Sequence, residues 1–262
     1  MAEQPIQFND GAAYERMMGR WSRLAGDVFL DWLAVESGLR WVDVGCGNGA
    51  FTEAVIKRCA PSAVEGVDPS HGQLEFAQTR AGASLARFQQ GDAMSLPQKD
   101  DAFDVAAMAL VLFFVPDPVK GLAEMRRVVA PGGTVAAYAW DILGGGFPLH
   151  AVQEELRAVG LTPPLPPSVD ASRLKAMQDL WVSGGLLEVE VREITVERTF
   201  TDFDDVWETS RLGSSVGPMI ASMAHSDADA LKRRLQAHFP VQSDGRITYS
   251  ARANAVKGRV GT

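Results

Sequence analysis

The residues with the clearest chemical potential stand where a buried stretch of sequence meets a glycine cluster. Val42-Asp43-Val44 is typical of a buried strand, and Gly45, Gly47 and Gly49 follow it at every second position. Glycine lets the backbone turn sharply at a strand end and lets a ligand approach without a Cβ in the way. The helix expected after Gly49 offers free N–H groups and a positive dipole end. This segment therefore predicts a ligand site at the carboxyl end of the strand.

Two acidic residues near the ends of the following strands indicate what that ligand contains. Asp68 ends the second predicted strand, where a carboxylate can accept hydrogen bonds from the hydroxyls of a ribose. Asp92 follows the third strand, so that its carboxylate can accept from an exocyclic amine while the backbone N–H of Ala93 donates to a ring nitrogen of adenine. Asp92 alone is equally typical of a turn or helix cap. Together with the glycines, both carboxylates predict a nucleoside-containing ligand.

The glycine spacing argues against a ligand rich in phosphate. The sequence has no Gly-x-x-x-x-Gly-Lys-Ser/Thr segment, which is the usual signature of a nucleoside triphosphate site. The observed pattern Gly45-x-Gly47-x-Gly49 also differs from the Gly-x-Gly-x-x-Gly of a pyrophosphate cradle, although Ala50 leaves the variant that ends in alanine open. A nucleoside without phosphates fits the pattern better.

Alternating strand and helix patterns are expected to position these residues. From about Leu39 to Trp140, short apolar runs alternate with segments of helical periodicity, which predicts a parallel sheet covered on both faces. Ser70 is the predicted N-cap of a helix, and Pro131-Gly132-Gly133 is predicted to end another. Strands are predicted at 41–44, 63–67, up to about 90, 103–110 and 134–140, and helices after 49, after 70 and over 119–129.

The remainder of the chain has a different texture. A glycine run at 144–146 and a proline-rich loop at 163–167 indicate an insertion. The N-terminal stretch 14–33 predicts two short helices, which either pad the sheet or close over the ligand. Further helices are predicted at 148–159, 172–182, 202–211 and 227–239, the last capped by Ser226 or Asp227, and strands at 187–196 and 246–256.

These elements predict a single structural domain built from three parts. Residues 1–38 form an N-terminal helical cap, and residues 39–141 form the ligand-binding core of the sheet. Residues 142–262 complete the sheet and cover the cleft with helical insertions at 142–186 and 201–240.

Composition excludes several classes of function. The 262 residues carry a formal net charge of −8, which would repel a nucleic acid or an anionic membrane surface. No segment approaches the roughly 20 apolar residues of a membrane span, and the first residues lack a signal-peptide pattern, so we expect a cytoplasmic protein. Cys46 and Cys59 are the only cysteines, and no Cys/His cluster has metal-ligand spacing, so neither a disulfide nor a metal site is predicted.

Five segments in order carry a family pattern over about residues 14–140. They are VDVGCGNGAFT at 42–52, EGVDPS at 65–70, GDAMSLP at 91–97, FDVAAMALVLFFVPDP at 103–118 and LAEMRRVVAPGGTVAAYAW at 122–140. The pattern resembles the class I S-adenosylmethionine-dependent methyltransferases, in particular the large subgroup that acts on small molecules and quinones. The resemblance implies an α/β fold with a doubly wound, mostly parallel, seven-stranded Rossmann-like sheet and helical insertions over the cofactor cleft. It also implies S-adenosyl-L-methionine as cofactor, S-adenosyl-L-homocysteine as product, and no metal.

The resemblance also assigns the residues that hold this cofactor. Asp43 would lie near its amino group, beside the glycines that line its methionine part, while Asp68 would hold the ribose. Leu110 would contribute its backbone at the end of the fourth strand, and Arg20, in the segment YERMMGRWSR at 14–23, would lie near the methionine carboxylate. The full predicted set is Arg20, Asp43, Gly45, Cys46, Gly47, Asp68, Pro69, Asp92, Ala93 and Leu110.

The sequence leaves the catalytic residues and the acceptor open. Many relatives have a histidine just after the fourth strand, whereas this chain has Leu112, Phe113 and Phe114, and His150 is a lone helical histidine that we do not assign as a base. The predicted function is methyl transfer to a small organic acceptor, apolar or carboxylated, with the oligomeric state open. The alternatives are a nicotinamide-dependent oxidoreductase, for which no Tyr-x-x-x-Lys spacing is found, and a non-catalytic S-adenosylmethionine-binding protein.

Overall fold

The computed structural model describes residues 15–80 and 82–262. Tyr14 and the rest of the first 14 residues, which belong to the predicted N-terminal cap, lie outside the described residues. Seven strands form one sheet: β1 (Arg40–Val44), β2 (Ala63–Asp68), β3 (Ala86–Gln90), β4 (Phe103–Ala109), β5 (Val129–Trp140), β6 (Leu187–Phe200) and β7 (Ile247–Arg259).

The sheet has the order β3-β2-β1-β4-β5-β7-β6. Strands β1 to β5 pair in parallel, and β7 runs antiparallel to both β5 and β6. The strand order reverses between β1 and β4, and a cleft opens at the carboxyl ends of the strands at such a switch point. The predicted doubly wound, mostly parallel seven-stranded sheet is therefore confirmed.

Helices cover the sheet and join its strands. They are α1 (Arg20–Leu33), which continues a π-helical turn at Glu15–Gly19, α2 (Ala50–Cys59), α3 (His71–Gln78), α4 (Pro118–Val128), α5 (His150–Ala158), α6 (Leu174–Ser183), α7 (Phe203–Arg211), α8 (Gly217–Ala221) and α9 (His225–Gln236). Short 3₁₀ turns lie at Ala83–Leu85, Leu112–Phe114 and Val169–Ser172. Within the two described ranges, no helix has the length and apolar character that crossing a membrane requires.

The core lies on both faces of the central strands. Almost every residue of β1 and β4 is buried, as expected for parallel strands with helices on both sides. Trp181 of α6 is wholly buried, and its indole Nε1 donates a hydrogen bond to the carbonyl oxygen of Val135 in β5 at 3.0 Å. This side chain therefore fastens α6 to the middle of the sheet.

The segment Pro131-Gly132-Gly133 does not end a helix as predicted. Helix α4 already stops at Val128, and β5 begins at the next residue. The pairing with β4 shifts within β5, because Val129 pairs with Phe103 whereas Thr134 pairs with Val105. The prolyl-glycine segment forms this bulge, where a Cβ on Gly133 would lie 2.6 Å from the carbonyl oxygen of Asp104. The pairing of β5 with β4 and β7 therefore outweighs the local preference of Pro131-Gly132-Gly133 for a turn.

Two other local predictions differ from the structure. Helix α9 has Ala224 at its N-cap position with no side-chain cap, so the predicted caps Ser226 and Asp227 are wrong. Both residues lie inside the first turn, where the carboxylate of Asp227 interacts favourably with the positive end of the helix dipole. The five-residue α8 was not predicted, because a segment this short carries almost no periodic signal.

Replacement of Trp181 tests how strongly the sheet depends on α6. Trp181→Ala removes a wholly buried indole and its hydrogen bond, so we expect a loss of about 3–5 kcal/mol in the free energy of unfolding, measured by chemical denaturation. The matched control is Val182→Ala, because the Val182 side chain is 58% exposed and its truncation should cost about 0.5 kcal/mol or less. Equal losses in the two variants would contradict this assignment.

Candidate functional site

A cavity of about 660 Å³, called here the large cavity, opens at the carboxyl ends of β1, β2 and β4. This volume is within the range of small-molecule and cofactor sites. One wall comes from Gly19 of the π-helical turn and from Ser22, Arg23 and Gly26 of α1, and another from the loop at 164–167. The N-terminal segment therefore has two roles. It lines the large cavity, and its helix α1 also packs on β6 and α2.

The glycine loop after β1 is fixed to β2 by backbone hydrogen bonds. The N–H groups of Gly45 and Cys46 both donate to the carbonyl oxygen of Val67, at 2.7 and 3.0 Å. Gly45 and Gly47 have φ angles of +77° and +51°, in the left-handed region that favours glycine. A Cβ at Gly45 would lie 2.5 Å from Cγ1 of Val111, whereas a Cβ at Gly47 would have no neighbour within 4 Å among residues 15–80 and 82–262. Gly45 is therefore required by packing, and Gly47 leaves the floor of the cavity clear.

Asp68 holds this loop in place through its carboxylate. Its Oδ2 accepts from the Gly47 N–H at 2.9 Å and its Oδ1 from the Ser70 N–H at 2.8 Å. Burial raises the pKa of Asp68, and the two backbone hydrogen bonds oppose that rise. A carboxylate has about four acceptor positions, so both oxygens can still accept from a ligand.

Asp43 is an acidic group almost completely removed from solvent, with 1% of its surface exposed. Its Oδ2 accepts from the hydroxyl of Thr52 at 2.6 Å, and its Oδ1 has no partner in the part of the chain that the structure describes. Burial raises the pKa of Asp43 to about 7, the Thr52 hydrogen bond lowers it, and the nearby charge of Asp68 raises it further. A positively charged ligand group would therefore stabilise the ionised carboxylate.

Cys46 lies in the same loop and also lines the large cavity. Burial raises the pKa of its thiol, and the neighbouring carboxylates of Asp43 and Asp68 raise it further. The side chain therefore stays a protonated thiol at neutral pH and acts as a small apolar wall rather than a nucleophile.

Asp92 combines the two interpretations that its sequence position allows. Its Oδ1 accepts from the Met94 N–H at 2.8 Å, and its carbonyl oxygen accepts from the Ser95 N–H at 3.0 Å, so it caps a turn. It also lines the large cavity, together with Ala93 and Pro69. The turn holds Asp92 at the cavity edge while its other carboxylate oxygen stays available.

Leu110 follows β4 in an unusual backbone conformation. Its φ angle is +64°, which is uncommon for a residue with a Cβ, and its N–H donates to the carbonyl oxygen of Tyr138 at 2.8 Å. The conformation turns the chain toward the 3₁₀ turn at Leu112–Phe114. Backbone strain of this kind clusters at ligand sites.

The large cavity brings together nine of the ten residues that the sequence assigns to the cofactor, all except Arg20. Arg20 is exposed and does not line the large cavity, so its predicted place near the methionine carboxylate stays a prediction. The lining face of α1 follows the helical spacing of Gly19, Ser22, Arg23 and Gly26, and Arg20 is off this face. Arg23 is the arginine that reaches the cavity, where it also pairs with Glu15.

Arg80 is a supporting residue that sequence reasoning missed. Its guanidinium donates to the carbonyl oxygen of Asn48 at 2.6 Å, to Glu53 at 3.0 Å and to Glu15 at 2.7 Å. The group thus ties the glycine loop to α2 and to the start of the N-terminal helical segment. No local pattern predicts it, because these partners are between 27 and 65 residues away in sequence.

A second cavity of about 60 Å³, called here the small cavity, lies beside the first. The two share Leu110, Phe114, Pro164 and Pro166 as lining residues. His150 lines neither of them. In residues 15–80 and 82–262, no group of three or more His, Cys, Asp and Glu side chains is arranged to hold a metal ion.

Residues 42–137 match a protein-family model described as a methyltransferase domain. The matched segment contains the glycine loop, Asp68, Asp92 and Leu110. Residues 42–137 are therefore similar to a methyltransferase domain.

A curated relative of this segment is the demethylmenaquinone methyltransferase of Staphylococcus aureus, strain JH9. The two are 38% identical over 105 residues, which is 39% of this chain and 44% of the relative. The match therefore spans less than half of the relative's own length.

Solved structures resemble the fold of this chain beyond residues 42–137 as well. The YcgJ protein of Bacillus subtilis has a TM-score of 0.58 and 18% identity, over 91% of this chain and 98% of that one. The phosphoethanolamine N-methyltransferase 2 of Haemonchus contortus, in complex with phosphomonomethylethanolamine and S-adenosylhomocysteine, has a TM-score of 0.58 and 17% identity, over 95% of this chain and 56% of that one. At these identities the likeness shows the fold alone, over most of the chain.

Alanine at the two glycines should separate packing from cavity shape. Both substitutions place a Cβ at a left-handed φ and should cost about 1–2 kcal/mol of stability for that reason. Gly45→Ala should cost more, because its Cβ also displaces Val111. Gly47→Ala should instead lower the affinity for a ligand of the large cavity, and by more than its loss of stability accounts for. Thermal denaturation and ligand titration on both variants measure this, and equal stability losses would contradict the assigned role of Gly45.

Because the pKa of Asp43 is raised, its contribution to the free energy of unfolding should change with pH in a definite direction. The folded state holds the Asp43 proton more tightly than the unfolded state, so the contribution of this group to stability is greatest below about pH 4 and is lost as pH rises to about 7. The difference in unfolding free energy between the wild type and Asp43→Asn should fall with a slope of up to about 1.4 kcal/mol per pH unit in that window.

Asp104→Asn is the control of opposite sign, because the Arg40 guanidinium lowers the pKa of Asp104. Its contribution is present at neutral pH and is lost on acidification. A wild-type minus Asp43→Asn difference that rises with pH between about 4 and 7 would refute the assignment for Asp43.

Proposed function

We propose that this protein transfers the methyl group of S-adenosylmethionine to a small organic acceptor, and that nine of the ten predicted residues form its cofactor site. The observation that carries the proposal is the large cavity, where the glycine loop, Asp43, Asp68 and Asp92 meet at the switch point of the sheet. In the sequence these groups are separated by up to 49 residues.

The residues present fit the proposed cofactor. Asp68 keeps acceptor positions for two ribose hydroxyls after it has bonded the Gly47 and Ser70 N–H groups. The unpartnered Oδ1 of Asp43 suits the positively charged amino group of the methionine part. The absence of any atom within 4 Å of a Cβ at Gly47 leaves room for the ligand to lie against the backbone. Asp92 and the N–H of Ala93 suit the edge of adenine.

The bound cofactor supplies a methyl group that its sulfonium already activates. The protein's contribution is then to bind, to orient and to exclude water. The α1 helix and the loop at 164–167 form parts of the cavity wall and limit access of solvent. The strained Leu110 separates the proposed cofactor site from the small cavity, in which we place the reactive end of the acceptor.

The chemistry of the surroundings supports a small-molecule acceptor. The net charge of −8 disfavours a nucleic acid, and the lining of the small cavity is largely apolar. The named substrate of the Staphylococcus aureus relative is a quinone, which supports a ring-containing acceptor. A cytoplasmic location, and one domain with a cap over 1–38, a core over 39–141 and a completing part over 142–262, are parts of the same proposal.

The test of the cofactor is titration calorimetry of the full chain with S-adenosylhomocysteine and, separately, with NADH. We expect binding of the first and not of the second. Asp68→Ala should weaken S-adenosylhomocysteine by about 5- to 150-fold through lost ribose hydrogen bonds. It should also lower the melting temperature, because two backbone N–H groups lose their acceptor.

The matched control for Asp68→Ala is Glu65→Ala, an acidic residue of the same strand that does not line the cavity. It should leave the affinity unchanged. Tight NADH binding without S-adenosylhomocysteine binding would favour an oxidoreductase and defeat the proposal. Transfer of labelled methyl to a metabolite panel separates an enzyme from a non-catalytic binding protein.

A further inference from the structure

A series of polar and charged groups joins two walls of the large cavity. Arg80 follows α3, and its Nε donates to the carbonyl oxygen of Asn48 in the glycine loop at 2.6 Å. Its Nη2 donates to Oε2 of Glu15 at 2.7 Å, and Oε1 of Glu15 accepts from Arg23 of α1. Asn48 and Arg23 line the large cavity, whereas Arg80 and Glu15 do not. The series Asn48–Arg80–Glu15–Arg23, called here the charged link, therefore connects the glycine loop to the α1 wall.

The centre of the charged link is shielded from solvent. The side chains of Arg80 and Glu15 are 13% and 25% exposed, so salt and water weaken their attraction less than at an open surface. The Nη1 of Arg80 also donates to Glu53 at 3.0 Å, so that all three guanidinium nitrogens have an acceptor. An arginine loses little freedom for each such bond, because its planar fork is already in the required geometry. The guanidinium is therefore a fixed point between the two walls.

Gly19 shows that the Glu15 carboxylate lies directly against the cavity wall. Gly19 lines the large cavity, and a Cβ on it would lie 2.6 Å from Cδ and 2.7 Å from Oε2 of Glu15. The φ angle of Gly19 is −55°, which alanine also adopts, so the backbone does not require a glycine here. The glycine instead leaves the space that the Glu15 carboxylate occupies.

The π-helical turn has a second attachment that does not involve the charged link. The side chains of Met17 and Met18 are buried, and the Nη1 of Arg198 in β6 donates to the carbonyl oxygen of Met17 at 2.9 Å. The turn should therefore stay folded when the charged link is broken. The loss is then confined to the connection between the α1 wall and the glycine loop.

We infer that Arg80 is a positioning residue of the proposed reaction: through Glu15 it holds the α1 wall against the glycine loop, and this slows the release of a ligand from the large cavity. The inference rests on the proposed function, because methyl transfer requires the cofactor to stay bound while the acceptor enters. Arg80 acts through Asn48 and Glu15, since it does not line the cavity itself.

The test compares the release of a ligand with the stability of the full chain. Surface plasmon resonance measures the dissociation rate of S-adenosylhomocysteine from the wild type, Glu15→Gln and Arg80→Met. Each variant should release the ligand about ten-fold faster, because each removes a charge-assisted hydrogen bond between the two walls. The association rate should not fall. The double variant should be no faster than Arg80→Met alone, because both substitutions break the same link.

The matched control is Glu155→Gln. Glu155 of α5 also accepts from two basic side chains, Arg234 at 2.9 Å and His238 at 2.8 Å, and its side chain is 14% exposed. It lines neither cavity, so this variant should leave the dissociation rate unchanged. Without ligand, Glu15→Gln should keep the melting temperature of the wild type, because Met17, Met18 and Arg198 still hold the turn.

Gly19→Ala tests the same link without removing a charge. Its Cβ should displace the Glu15 carboxylate and speed release, while the melting temperature without ligand should stay or rise, because alanine favours a helix more than glycine does. A direct effect of the new methyl group on the ligand would persist in a Glu15→Ala background, whereas an effect through Glu15 would disappear there. We expect the second result.

Any of four results overturns the inference. The first is release from Glu15→Gln that is as slow as from the wild type, and the second is equal acceleration by Glu155→Gln. The third is a double variant that is faster than Arg80→Met. The fourth is a large loss of melting temperature in ligand-free Glu15→Gln, since the link would then support the fold rather than the wall. Failure of the proposed function is a separate observation, because S-adenosylhomocysteine would then not bind the wild type, and the inference would fall with it.

Discussion

The hydrogen bond from the Gly47 N–H to the carboxylate of Asp68 joins the ends of β1 and β2, and the rest of the site depends on it. Gly45 and Cys46 reinforce the connection through the carbonyl oxygen of Val67. The left-handed turns at Gly45 and Gly47 are possible because neither residue has a Cβ. The loop can therefore follow the edge of the sheet closely, and among the described residues no side chain fills the space above Gly47, which leaves the large cavity open there.

This arrangement brings two acidic side chains together at a site that is shielded from solvent. Asp43 and Asp68 are both buried, and each of their pKa values is raised chiefly by that burial. In the protein alone the cost is reduced by hydrogen bonds from Thr52, Gly47 and Ser70. A ligand with a positive group and several hydroxyls would reduce it further, so the two buried carboxylates favour the proposed cofactor.

The two cavities divide recognition between them according to polarity. The large cavity contains charged side chains and exposed backbone, which suit a polar nucleoside derivative. The small cavity is largely apolar. Leu110 and Phe114 line both cavities, and Leu110 has a positive φ angle. Methyl transfer needs two dissimilar molecules in contact, and this division places two dissimilar sites side by side.

Local sequence patterns determined much of this protein. The period-two and helical patterns predicted β1 to β5 to within a few residues except at the start of β5, because alternation, capping and left-handed turns act over short distances. Strand-end positions also placed Asp68, Asp92 and the glycines at one edge of the sheet, whereas Asp43 came from the family resemblance. Long-range packing decided the rest. The bulge in β5 and the contacts of Arg80 join residues that are distant in sequence, and so does the large cavity, which Arg23 lines and Arg20 does not. Only the folded chain, in which helices cover a particular edge of a particular sheet, brings those partners together.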